Sequence, residues 1–140
     1  MIDSPGYRGA RRGLFVVVLA LAVLPLSGCR REPAGEKPPG IDVKVQVEPA
    51  PPRVGPVTVI VTLAEAGGGP LRGAEVKVEG GMNHAGMKPE FGDAREVEPG
   101  RYEAPLQLTM GGDWFLLVDA RLADGRTVHE QVDVPGVKSQ

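Results

Sequence analysis

From Ile41 onward the apolar residues recur at every second position, the spacing of strands with one buried and one solvated face. Val43, Val45 and Val47 alternate with Asp42, Lys44, Gln46 and Glu48. After the Pro49-Ala50-Pro51-Pro52 break, Val57, Val59, Val61 and Leu63 form one face, with Thr58, Ile60 and Thr62 on the other. Ala74, Val76 and Val78 follow Gly67-Gly68-Gly69-Pro70. Tyr102, Ala104, Leu106 and Leu108 begin after Pro99-Gly100, Trp114 to Leu122 resume after Gly111-Gly112, and Val128, Val132 and Val134 close the series. Six main strands with turns every eight to twelve or so residues predict an all-β fold, an antiparallel β-sandwich of about seven strands. No eleven-residue window carries a helical stripe, and no internal repeat is present.

Parity also predicts one hairpin in detail. Directly opposed residues of an antiparallel pair share a face, so the even-numbered set Trp114 to Leu122 must face Val128, Val132 and Val134. That requires a loop of odd length. Ala123-Asp124-Gly125, with Gly125 left-handed, meets the requirement, pairs Leu116 with Val132 and sets His129 opposite Asp119 on the outer face. The same parity puts Trp114 in the core and points Met110 inward after Leu106 and Leu108.

Composition strengthens the β reading. The chain has 20 glycines and 14 prolines among 140 residues, about double their average joint share, which excludes a long-helix protein. A formal net charge of -2 leaves no polybasic surface, so nucleic acid is not an expected partner. One cysteine excludes an internal disulfide and a cysteine-cluster zinc site.

The position of that cysteine changes the picture. Arg8, Arg11 and Arg12 precede an apolar stretch from Leu14 to Leu26, too short to span a bilayer comfortably, and then Ser27, Gly28 and Cys29. Leu26-Ser27-Gly28-Cys29 resembles the lipobox of bacterial lipoproteins. It implies a signal peptide over residues 1–28 and a diacylglyceryl anchor on Cys29, which would hold the protein at the extracytoplasmic face of a membrane in the cell envelope. The processed chain then carries 13 basic and 17 acidic residues, a net charge of -4 on 112 residues. Residues 29–40, with three prolines and no apolar period, read as a flexible tether. The sandwich domain is expected over 41–140.

Chemistry concentrates in one segment that breaks the alternation, Gly80 to Pro89. This glycine-flanked loop holds Met82, His84 and Met87, two of the three methionines and one of the two histidines left after processing. Thioethers are soft ligands suited to Cu(I), and a neutral imidazole suits copper as well, so the three residues form a candidate metal site. Met110 is a candidate fourth, axial ligand. In the competing reading, Met82 and Met87 plug the end of the sandwich and His84 is merely solvated. No nucleophile sits beside a plausible base and no glycine-rich strand-to-helix turn exists to cradle phosphate, so no enzyme is expected.

Four pieces also resemble a known family: Pro70-Leu71-Arg72-Gly73-Ala74-Glu75-Val76, the Met/His loop, Pro99-Gly100-Arg101-Tyr102, and Leu108-Thr109-Met110-Gly111-Gly112-Asp113-Trp114. In this order they are similar to the YtkA-like and FixH-like extracytoplasmic domains, across about Val57 to Val134. The resemblance implies an immunoglobulin-type sandwich without enzymatic activity, partnered with a copper efflux or cytochrome oxidase assembly protein. FixH proper has a transmembrane anchor, where this chain has a lipobox. The function expected is a lipid-anchored domain that binds or relays Cu(I). The alternative is a metal-free module that docks a membrane or envelope partner complex.

Overall fold

A computed structural model describes residues 38–139. The expected signal peptide, Cys29 and most of the expected tether lie outside the described residues. The domain is all-β, with eight strands: β1 (Ile41–Glu48), β2 (Gly55–Glu65), β3 (Glu75–Gly81), β4 (Glu90–Asp93), β5 (Arg95–Glu98), β6 (Arg101–Leu108), β7 (Gly112–Arg121) and β8 (Thr127–Val137). They form two antiparallel sheets, β1-β2-β6-β5 and β4-β3-β7-β8. The strands β1, β2, β6 and β5 take the places of A, B, E and D in the immunoglobulin plan, and β3, β7 and β8 those of C, F and G.

The core lies between the sheets and is built from the alternating positions. Val57, Val59, Val61 and Leu63 of β2 meet Val76 and Val78 of β3, Tyr102 to Leu108 of β6 and Trp114 to Ala120 of β7. Trp114 is 2% exposed and donates its indole N–H to the Met110 carbonyl at 2.9 Å. The last hairpin has the predicted register: Leu116 faces Val132 and Asp119 faces His129. Its three-residue loop is closed by the Leu122 N–H to the Arg126 carbonyl at 2.8 Å, with Gly125 at φ 91°.

Two strands, β4 and β5, have no counterpart in the alternation. Each has four residues, and β5 is exposed throughout. The chain passes from one sheet to the other between them, at Ala94, whose N–H bonds the Val76 carbonyl at 2.9 Å. A side chain on Gly92 would lie 2.4 Å from the Pro105 carbonyl oxygen, so this crossing depends on a residue without Cβ.

The two sheets are also tied at the end where β2 finishes. The Glu96 carboxylate accepts from the Gly100 and Gly73 N–H groups, each at 3.0 Å, joining the β2–β3 connection to the β5–β6 turn. Beside it the Tyr102 hydroxyl donates to the Leu71 carbonyl at 2.7 Å and accepts from the Ala74 N–H. Burial pushes the Tyr102 phenol up from its ordinary value. The Arg126 guanidinium forks between Glu65 and Asp124 and holds both carboxyls below the usual range.

A prediction follows for Glu96. The Gly100 N–H, and after it the Gly73 N–H, hold its carboxyl below the ordinary glutamate value. A depressed folded-state value means stability that is present above the unfolded value and disappears as pH falls through the folded one. The Glu96→Gln variant should therefore have a lower thermal midpoint than the parent at neutral pH, and the two should converge in acid. Parallel midpoint curves down to low pH would show that the Glu96 charge contributes nothing.

Candidate metal-binding loop

The Met/His segment starts later than its glycines suggest. Gly80 and Gly81 belong to β3 and pair with Leu116 and Phe115 of β7. A Cβ on Gly80 would lie 2.8 Å from Leu106 Cδ2, and one on Gly81 would lie 2.6 Å from the Phe115 ring. These glycines admit neighbouring side chains on the two faces of the strand rather than freeing a loop. The loop itself runs from Met82 to Pro89.

Its backbone is held by short-range hydrogen bonds. The His84 N–H bonds the Met82 carbonyl at 2.8 Å, and the Met87 N–H reaches the His84 carbonyl at 3.4 Å. Gly86, at φ 85°, takes the left-handed third position of this second turn. Met82 and Met87 are both half-buried and pack against the core, while His84 is exposed. The two methionines thus line one end of the sandwich, as the plug reading expects.

Two further contacts define the site. His84 Nδ1 lies 3.0 Å from the Ala85 carbonyl oxygen, which can only accept. Nδ1 therefore donates, and in the neutral imidazole the Nε2 lone pair is left for another partner. Met82 Cε lies 2.8 Å from where a Cβ on Gly112 would stand, so the thioether end rests in the space left by that glycine. Gly112 is two residues from Met110, and this places the β3–β4 loop against the β6–β7 corner.

The inward orientation expected for Met110 is not observed. Strand β6 ends at Leu108, the chain turns at Thr109 to Gly111, and Met110 is 40% exposed. Its carbonyl, rather than its side chain, faces the core as the acceptor for Trp114. His129 stands apart from the loop on the outer face of β8, its Nδ1 hydrogen-bonded to the Asp119 carboxylate. Among the described residues, no group of three or more His, Cys, Asp or Glu is placed to hold a metal ion.

The YtkA-like family model matches residues 36–119. This chain belongs to the YtkA-like family. The match covers β1 through most of β7, and with them both the Met/His loop and the Met110–Trp114 corner. It begins before Val57 and ends before Val134, the limits of the motif resemblance. No curated protein matches this YtkA-like chain. Among solved structures it is similar to murine CRIg, at 14% identity and a TM-score of 0.40, over 71% of this chain and 98% of that one.

The structure also places two features near the loop that alternation does not reveal. Asn83, Asp113, Trp114, Phe115, Asp133 and Pro135 line a groove of about 270 Å³ beside it. Phe91 on β4 is 70% exposed. The signal for the second was present in the sequence, as a phenylalanine outside the period-two set.

Proposed function

We propose that this YtkA-like domain is a lipid-anchored, extracytoplasmic Cu(I)-binding protein that is not an enzyme. Met82, His84 and Met87 supply the ligands, and Met110 joins from the neighbouring corner. The observation that carries the reading is the orientation of His84. Its Nδ1–H is engaged by the Ala85 carbonyl within a turn between two methionines, and the residue is exposed, which leaves Nε2 for a ligand. Ligating histidines characteristically bind through one ring nitrogen while the other donates to a carbonyl or carboxylate. The donor set is soft and neutral, which fits a monovalent soft cation better than Zn²⁺ or Mg²⁺. Half-burial of both methionines fits the reading as well, because a thioether ligand needs a wall against which to be held.

The end of the domain at which the tether would enter is opposite to the loop. Ile41, where the tether joins, pairs with Glu65, whereas the loop lies at the end where Gly55 pairs with Leu108. The eight residues of β1 span about 26 Å, so a chain anchored at Cys29 can present its thioethers away from the membrane.

The direct test is competition for Cu(I) between the processed chain and a chromogenic chelator under reducing conditions. One equivalent withdrawn supports the proposal, and no withdrawal refutes it. For the anchor, Cys29→Ser should abolish labelling by radioactive palmitate and remove the protein from the processed membrane fraction. Labelling at the parental level would refute lipidation at Cys29.

A further inference from the structure

We infer that the outer face of the β4-β3-β7-β8 sheet, in the half next to the Met/His loop, is a docking surface for a cationic protein segment with an apolar tip. The register sets Phe91 and Leu117 on either side of Glu79 in one outward row. Phe115 stands in the next outward position of β7, its ring lying over Gly81. Phe91 is 70% exposed, and Leu117 and Phe115 are half-buried beside it. A phenylalanine this exposed, continued by two large apolar side chains at outward strand positions, marks a contact surface.

Charge identifies the occupant. Glu79 sits between the apolar residues, Asp133 faces Phe115 across the β7–β8 ladder, and Asp113 lines the adjoining groove. No lysine or arginine occupies an outward strand position in this half of the sheet; Lys77 and Arg121 lie in the other half. A second copy of the chain would set Glu79 and Asp133 against their own kind, and an anionic lipid surface would be repelled. A protein segment in which lysine or arginine surrounds an apolar side chain complements both the charge and the exposed rings. The groove runs from this face to Asn83, inside the Met/His loop. The partner is therefore the source or recipient of the Cu(I); only this last step rests on the metal reading.

The test uses the ¹⁵N-labelled processed chain and a synthetic amphipathic lysine–leucine peptide, with a glutamate–leucine peptide as control. Amide shifts should be confined to the outward positions of β3, β4, β7 and β8, the affinity should fall with added salt, and the control should not bind. Phe91→Ser and Asp133→Lys, both at exposed positions, should each weaken the peptide at least about tenfold without altering the unfolding midpoint. Shifts centred on the other sheet, or unchanged affinity in both variants, would overturn the inference. So would concentration-dependent dimers in sedimentation that Phe91→Ser abolishes, or binding to phosphatidylglycerol vesicles through the same residues. The Met82→Leu, Met87→Leu chain should bind the peptide as the parent does. Failure of the copper reading would thus leave the peptide result standing, and failure of docking would leave the Cu(I) titration unaffected.

Discussion

Trp114→Ala should lower stability by about 3–5 kcal/mol, the cost of lost burial plus the cavity left in a close-packed interior. The indole is 2% exposed between the sheets, and its ring carbon Cζ3 lies 3.5 Å from where Gly80 would carry a Cβ. Collapse around the void is limited, because backbone pairing to both β3 and β8 holds the β7 main chain in place. Truncation also leaves the Met110 carbonyl without its donor. For a domain of this size the thermal midpoint should drop by at least roughly 12 °C. Trp114→Phe, which keeps most of the volume and loses the N–H, should cost much less. A midpoint barely changed by alanine would mean that the indole contributes no core packing.

The second large effect concerns the thioethers. Replacing Met82 and Met87 together by leucine should abolish or greatly weaken Cu(I) binding while leaving the unfolding midpoint nearly unchanged. Leucine nearly conserves volume and apolar character but has no sulfur. The plug reading expects the opposite pattern: the leucine variant silent in every assay, and alanine at either position destabilising. Half-burial of both side chains against the core makes the comparison sharp, since both positions respond to volume whether or not metal binds. Acid separates the ligand sets. A protonated imidazole has no lone pair to give, so a site that includes His84 should weaken on acidification, whereas one of thioethers alone should not. Equal Cu(I) affinity for the parent and the double leucine variant would refute the copper proposal.

The alternation of apolar residues determined the six long strands, because a side-chain period of two with one face buried leaves few other solutions. It also determined the last hairpin to the residue. Parity, an odd loop and a glycine in the left-handed position admit one register, and Leu116–Val132 and Asp119–His129 are its pairs. The loop with Met82, His84 and Met87 was legible as an interruption of that period, since thioethers and an imidazole between strand ends have no periodic role.

The tertiary structure decided what depends on partners distant in the chain. Strands β4 and β5 were invisible to periodicity, as each is only four residues long and hydrogen bonds to a pre-existing sheet edge specify it. Gly80 and Gly81 look like loop residues in the sequence; they are strand residues because Leu106 and Phe115 occupy the space their side chains would need. Ile60 alternates outward with two threonines, yet it is 3% exposed. Met110 loses the parity of Leu106 and Leu108 because the strand ends first. Glu96 and Tyr102 act through backbone N–H and carbonyl groups 4 to 31 residues away, which carry no side-chain signal. Alternation is a local property that reports which face of a strand is buried; strand ends, sheet edges and backbone-capping side chains are fixed by long-range contacts, and these exist only once the sheets have packed.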